Sequence, residues 1–291
     1  MTLVPFADLL AERRAARGGL GAFTCYDLET ARGVLEAACG AGAGVVLMVS
    51  GEALAQPGGA QLVAALVATA ARSPARACVQ LDHVASVELV ATGVELGCGV
   101  VMADGSRLPY EDNVAFVAEA ARLAARTGAT VEAELGHVGG DEDVAVAATA
   151  GALTDPQEAA AFVAATGAAC LAVSIGNVHG RYAAPPALDW PRLEAIRRSV
   201  AVPLSLHGAS GLPDADVRRA IGIGVTKVNV NTELRRAYLA ATASALREVA
   251  EGGRILELHR RQTAAMRTAA ARKLRLYAPG ETAVTRETGA G

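Results

Sequence analysis

Three histidines in this chain sit in the same local context. The stretch 202–211, Val-Pro-Leu-Ser-Leu-His-Gly-Ala-Ser-Gly, is a short apolar run that ends in His207 and turns at once through glycine and serine. The stretches 77–83 and 171–180 repeat this grammar, ending in Asp82-His83 and His179-Gly180. Three imidazoles at three strand ends can supply three ligands to Zn²⁺ and leave a fourth position open, as a catalytic zinc requires. Any one of them alone reads more readily as structural; the shared position is what argues for a joint metal site. His137 and His259 follow no such run and read as solvent-facing.

Carboxylates surround these histidines in the sequence. Asp82 precedes His83, and in a regular strand the two side chains would face opposite sides, a rule that loosens at the last residue. Two readings stand side by side: a general acid–base beside the metal, or an N-cap for the helix that follows. Glu132 and Glu134 are two residues apart, hence on one face of a strand otherwise suited to burial. Buried carboxylates need a cation or donors, which means the metal region or buried arginines. The run Gly139-Gly140-Asp141-Glu142-Asp143 is either a solvated loop or a glycine-hinged segment carrying a base over substrate.

The elements that must position these groups follow from periodicity. From Gly21 onward, short apolar runs alternate with amphipathic segments of helical period, the pattern of repeated βα units. The strands expected are Gly21–Cys25, Gly44–Val49, Ala77–Leu81, Gly99–Met102, Thr130–Glu134, Cys170–Ser174, Val202–Leu206 and Val225–Val228. Helices are expected near Leu28–Cys39, Gly59–Arg72, Val84–Leu96, Glu111–Arg126, Asp155–Ala165, Trp190–Arg198, Asp214–Gly222 and Thr232–Glu251. Start signals are Asp112 or Asn113, the run from Thr154 through Glu158, and Pro213-Asp214. Eight such units close into a (β/α)₈ barrel, an α/β fold that typically occupies about 250 residues. The insert Gly136–Leu153 reads as a mobile loop, Gly252–Leu276 as an extra C-terminal helix. The reading is therefore one barrel domain over residues 1–276, with a disordered polar tail at 277–291. Active sites of such barrels lie at the C-terminal strand ends, where these polar residues fall. Phosphate sites favour the loops after the seventh and eighth strands. Around the last strand ends, Gly180, Gly208, Ser210, Asn229 and Thr232 offer close backbone approach and hydroxyl or amide donors; the alternative is ordinary turns with a threonine N-cap.

Composition removes several function classes. A net charge of −3 gives no basic footprint for nucleic acid, and no apolar run reaches the roughly 18 to 20 residues that span a bilayer. The N-terminus lacks a basic segment followed by an apolar one, so no secretory signal is read. The 5 cysteines are scattered and never in a C-x-x-C pair, which suits reduced thiols in a cytoplasmic protein.

Seven short motifs stand in order along the chain: QLDH (80–83), ADGS (103–106), VEAELG (131–136), GGDED (139–143), GNVHGRY (176–182), LHGASG (206–211) and TKVNVNTEL (226–234). Together they make the chain, from about Gly21 to Leu246, resemble the class II, zinc-dependent fructose/tagatose-bisphosphate aldolase family. The resemblance implies that His83, His179 and His207 bind Zn²⁺, with Glu134 beside it in an alternative metal position. Asp82 would handle the proton of the C4 hydroxyl as the C3–C4 bond of a phosphorylated ketose forms or breaks. Glu142 would exchange the C3 proton of dihydroxyacetone phosphate, the enediolate-forming half. Gly180, Gly208, Ser210, Asn229 and Thr232 would hold that substrate, with a monovalent cation, Na⁺ or K⁺, helping at the phosphate. The other substrate would be an aldehyde, itself phosphorylated, and the protein a homodimer or homotetramer.

The chain also departs from the family pattern. Thr24 stands where an asparagine is usual, Asn231 where fructose-type members have aspartate, and Arg181 where an apolar residue is common. The loop 144–149 is unusually apolar. Arg254, Arg260 and Arg261 are the candidates for the family's distal-phosphate arginine, often supplied by a neighbouring subunit. Two other functions remain open: a non-catalytic sugar-phosphate-binding barrel, and an aldolase using a Schiff base on Lys227, which alternates with Asn229 on one strand face.

Overall fold

The computed structural model of the protein describes residues 3–140, 147–184 and 186–279. Its strands are β1 (Leu20–Thr24), β2 (Val45–Ser50), β3 (Ala77–Val84), β4 (Val100–Ala103), β5 (Thr130–Leu135), β6 (Ala147–Ala148), β7 (Cys170–Val173), β8 (Arg181–Tyr182), β9 (Leu204–Leu206) and β10 (Val225–Val230). All except β6 and β8 form a closed parallel barrel in chain order, β10 pairing back onto β1. The remaining two pair with each other as a small parallel ribbon. This is the (β/α)₈ barrel, with each expected strand in place.

Helices α1 (Phe6–Ala15), α2 (Leu28–Ala41), α3 (Gly51–Ala55), α4 (Gly59–Arg72), α5 (Val87–Glu95), α6 (Tyr110–Ala125), α7 (Pro156–Thr166), α8 (Trp190–Ser199), α9 (Asp214–Ile223), α10 (Thr232–Ala250) and α11 (Ile255–Tyr277) accompany them. The alternation of side chains along each strand divides the core in two. On β2, Val45, Leu47 and Val49 face the helices, and Val46 and Met48 face the lumen. The lower lumen is apolar, filled by Leu20, Ala22, Cys78, Val100 and Cys170 beside them. Helix α1 closes it from below, because Phe6, Leu9 and Leu10 at i, i+3, i+4 spacing pack into the same cluster. Higher up, the lumen turns polar: Gln80, Glu132, Lys227 and Asn229 are all buried.

Helix α11 crosses α2 and α10. Gly33 of α2 permits the close crossing, since a Cβ there would lie 2.6 Å from the Thr263 carbonyl oxygen. The helix runs to Tyr277, which is buried and whose carbonyl accepts from the Gly19 N–H, so the chain is ordered past the expected tail start; residues 280–291 lie outside the described ones.

Helix starts correct two expectations. Asp155 does cap α7 and Ser86, not Asp82, caps α5. Helix α6 begins earlier, after Pro109, with no side-chain cap; Asn113 is buried inside it and donates to the Glu134 carbonyl. Helix α1, the short α3 and the ribbon were not expected. No described helix is long and apolar enough to cross a membrane, and all five cysteines are free thiols.

Candidate active site at the barrel mouth

The end of β3 breaks strand alternation. His83 adopts a φ of 47°, and the register with β4 shifts between Leu81 and Val84. A left-handed conformation at a residue with a Cβ costs on the order of 1–2 kcal/mol. In return, Asp82 and His83 both serve the mouth of the barrel, which a regular strand forbids. Asp82 is buried, accepting from Gln80 Nε2 at 2.8 Å and facing Asn229 Nδ2 at 3.4 Å, so the helix-cap reading falls.

The three strand-end imidazoles converge. Ring centroids of His83 lie 5.0 Å from both His179 and His207, and those of His179 and His207 lie 5.6 Å apart. One ring nitrogen from each falls within 4.8 Å of the others. The outward nitrogens of two rings are committed to carboxylates: His83 Nδ1 to Asp104 Oδ2 at 2.7 Å, and His207 Nε2 to Glu132 Oε1 at 3.0 Å. An ionised carboxylate only accepts, so each of these nitrogens carries the proton. The inward ones, His83 Nε2 and His207 Nδ1, then present lone pairs 3.1 Å apart, and the Asn229 amide nitrogen lies 3.3 Å from His207 Nδ1. Two acceptors at that distance need a cation or a proton between them. Tetrahedral zinc–nitrogen bonds of about 2.0–2.1 Å place their ligands about 3.3 Å apart, and carboxylate-backed histidines are the usual supporting pattern. The residues therefore fit a metal ion. Burial pushes His207 down to about 4 despite Glu132 beside it, so it is neutral, as a ligand must be.

Two glutamates of β5 back this centre. Glu132 also meets Lys227 Nζ at 2.8 Å and accepts from Gln80. Burial alone would raise its pKa; Lys227 and His207 outweigh that and hold it well below the carboxylate range. Its partner is thus a lysine, where the sequence suggested arginines. Glu134 accepts from the Val138 N–H at 2.8 Å, and its Oε2 has no hydrogen bond among the described residues. Burial and the neighbouring Asp104 push it up to about 8. With His83 and Asp104 it forms a second set of potential ligands. His137, read from sequence as solvent-facing, instead lies on the wall of this centre, with Nδ1 3.1 Å from Ser106 Oγ and 3.8 Å from Glu134 Oε1.

On one side of the imidazoles, a narrow cleft is lined by His179, Gly180, Gly208, Ser210, Asn229 and Thr232. Gly180 and Gly208 have φ of 80° and 61°, and a Cβ on Gly208 would collide with the Val178 carbonyl oxygen. Glycine is required there by conformation and by space. Asn231 occupies the N-cap position of α10 without capping it through its side chain, and Thr232 is the first helical residue. The first N–H groups of a 19-residue helix thus point toward the cleft, a suitable end for an anion. Sequence reasoning missed two supports of this cleft: Ser210 Oγ donates to Glu233 Oε2 at 3.0 Å, and Glu233 Oε1 accepts from the buried Lys273 of α11 at 2.6 Å. Glu233 two residues after Asn231 was in view within the motif; Lys273 carried no local signal.

On the other side lies a cavity of about 370 Å³, whose wall includes His83, Asp104, Arg107, Glu134, His137 and His179. The insert after β5 borders it, and its described parts are pinned: His137 N–H donates to the Ala152 carbonyl, and His179 N–H to that of Gly139, both at 2.7 Å. Glu142 lies outside the described residues, as does the side chain of Arg181. Arg260 pairs with Glu257, Arg261 with Glu248 and Glu257, and none of Arg254, Arg260 and Arg261 lines the cavity. Thr24 is buried, and its Oγ1 has no hydrogen-bond partner among the described residues.

Carboxylate-backed imidazoles gathered at the mouth of a parallel barrel, beside a glycine-lined cleft, suit a metal-dependent enzyme. Residues 4–281 match the model of the fructose-bisphosphate aldolase class-II family, and the chain belongs to that family, a group of lyases that act on sugar phosphates and are generally metal-dependent. Among solved structures it is similar to the YdjI aldolase from Escherichia coli K12, with 29% identity, a TM-score of 0.83, and 96% of this chain and 98% of that one covered. A candidate fructose-1,6-biphosphate aldolase from Coccidioides immitis also shares 29% identity, with a TM-score of 0.86 over 95% and 97% of the two chains. Fructose-bisphosphate aldolase from Campylobacter jejuni, at 18% identity, shares the fold with a TM-score of 0.79 over 94% and 95%.

Proposed function

We propose that the protein is a zinc-dependent ketose-phosphate aldolase that forms or cleaves a C3–C4 bond with dihydroxyacetone phosphate as one half. The observation that carries this reading is the pair of lone-pair-bearing nitrogens of His83 and His207 at 3.1 Å, each ring backed by a carboxylate, with His179 completing the set. His83, His179 and His207 hold the zinc, and Glu134 offers a further position beside it. When bound, the ion stabilises negative charge that develops on the substrate oxygens.

The chain's own residues do the rest. The cleft formed by Gly180, Gly208, Ser210, Asn229 and Thr232 holds the substrate phosphate, with the α10 N-terminus and a monovalent cation balancing its charge. Glu142 removes and returns the C3 proton. Asp82, held by Gln80 and Asn229 at the mouth, takes the C4 hydroxyl proton on cleavage and returns it on condensation. The other half is an aldehyde in the 370 Å³ cavity. The chain acts as a homodimer or homotetramer; Leu239 and Leu246 of α10 and Ile255 and Leu256 of α11, each more than half exposed, support an apolar contact surface.

Deuterium exchange into C3 of dihydroxyacetone phosphate tests the reading. Exchange is expected with Zn²⁺, absent after chelation and restored by the metal. Absence of exchange in the zinc-loaded protein would make this a sugar-phosphate-binding barrel without turnover. Exchange that survives chelation, with a borohydride-trapped adduct, would move the chemistry to Lys227. That lysine is fully buried against Glu132, whose charge keeps the ammonium form favoured despite burial, which supports the metal reading over a Schiff base.

A further inference from the structure

The cavity on the far side of the imidazoles contains one lysine or arginine among its described lining residues, Arg107. It stands on the loop after β4, and that loop is rigid. Asp104 Oδ1 accepts from the Ser106 N–H at 3.0 Å, and the Leu108 N–H donates to the Gly105 carbonyl at 2.9 Å. Gly105 sits so close beneath α6 that a Cβ would collide with the Asn113 side chain, which is itself fixed to the Glu134 carbonyl. Ser106 Oγ, 3.1 Å from His137 Nδ1, ties the loop to the segment after β5.

Arg107 forms no ion pair with any described carboxylate, although Glu52, which is exposed, Asp104 and Glu134 share its cavity. Asp104 is held by His83, and Glu134 is turned to the Val138 N–H and the imidazole centre. A guanidinium on this tied loop, in the wall of the cavity and absent from the lining of the phosphate cleft, suits bidentate recognition of a second anion. Resting on the aldolase reading above, we infer that Arg107 reads the far end of the aldehyde substrate and that this end carries an anionic group, a phosphate or a carboxylate. The recognition comes from the same chain, in place of the C-terminal arginines that the sequence suggested.

The test compares kcat/KM for condensation of dihydroxyacetone phosphate with three aldehydes: glyceraldehyde 3-phosphate, glyoxylate and uncharged glyceraldehyde. In the zinc-loaded wild type, one of the two anions is preferred over the neutral aldehyde, and which one identifies the group. In Arg107→Ala that preference falls by about 10- to 100-fold, the loss of a charged hydrogen bond. Arg107→Lys retains part of it, because charge persists without the fork. No preference for either anion in the wild type, or a preference that Arg107→Ala leaves intact, overturns the inference. C3–H exchange is measured in parallel. Its absence in the wild type defeats the aldolase reading itself, whereas exchange with an unmoved preference defeats only the role of Arg107.

Discussion

Glu132 and Glu134 share a strand face two residues apart, yet they belong to different chemical worlds. Glu132 lies in a layer where every charge is answered: Lys227, His207 and Gln80 all reach its oxygens. Glu134, one layer higher, has a single backbone donor and one oxygen without a hydrogen bond among the described residues, with Asp104 as a like-charged neighbour. Burial acts on both; the sign of the pKa shift is decided by whether a cation of the protein stands nearby. The lower layer is complete as protein. The upper one holds the imidazoles and carboxylates whose nitrogen and oxygen atoms lie close enough to share a metal ion.

Removing an added cation's ligands is the strongest way to break this contrast. His83→Ala, His179→Ala and His207→Ala are each expected to abolish lyase turnover and to lose bound zinc by elemental analysis. Full zinc occupancy in the triple variant would show that the upper layer needs no such ion at these residues.

Next in size is the lower layer. Glu132→Gln leaves the Lys227 ammonium buried without its carboxylate and is expected to cost about 3–5 kcal/mol in denaturant unfolding. Adding Lys227→Met should recover most of this, since replacing both members of a buried pair by neutral groups is often close to neutral. If the double variant is as unstable as the single one, Glu132 is held by shape and not by charge.

The pH dependence of the metal-free protein separates the two carboxylates by sign. Glu134 in the folded state is raised from 4.5 to about 8, so the folded form binds a proton that the unfolded chain has lost. Its stabilising contribution is full below about pH 4.5 and disappears as pH rises through 8, by on the order of 2 to 4 kcal/mol. Glu132 is depressed; its contribution is full above its unfolded value and is lost as pH falls through its folded one. Unfolding between pH 5 and 9 should therefore show a decline in stability that Glu134→Gln removes and that saturating zinc flattens. A decline unchanged in Glu134→Gln assigns the slope to another group.

The smallest effect concerns Thr24, whose buried hydroxyl has no protein partner among the described residues. Fructose 1,6-bisphosphate is expected not to be the best substrate. Thr24→Asn, which adds an amide donor where a shorter hydroxyl stood, should alter kcat/KM for fructose or tagatose bisphosphate by about 2- to 10-fold, the range of one neutral hydrogen bond. Ordinary efficiency on the fructose substrate, unmoved by the variant, would show the position to be neutral.

Sequence made the barrel legible because βα repetition is local: an apolar run and an amphipathic run each announce themselves within about ten residues. The imidazole triad was legible for the same reason, each histidine closing an apolar strand. What depended on distant partners was not. Lys227 could be read as inward-facing from its alternation with Asn229, but only the folded chain brings Glu132 against it. The positive φ of His83, which lets Asp82 and His83 both serve the barrel mouth, follows from no propensity of histidine. Asn113 looked like a cap because its type favours that position, whereas packing beneath Gly105 and a bond to the Glu134 carbonyl draw it into the helix. Helix α1 spans little more than one apolar turn, too short a signal to stand out before it meets the barrel.

That short helix packs its apolar side against the barrel floor, and two thiols lie in the same cluster. Cys78 shares the lower lumen with Phe6, Leu9 and Leu10, and burial with the nearby Cys98 pushes its thiol up to about 12. A thiol in that state presents almost no thiolate to an alkylating reagent. Its reaction rate therefore times the opening of the floor, separately from events at the mouth, where substrate enters. An end of the molecule that takes no part in the chemistry thus carries its own clock for the breathing of the barrel.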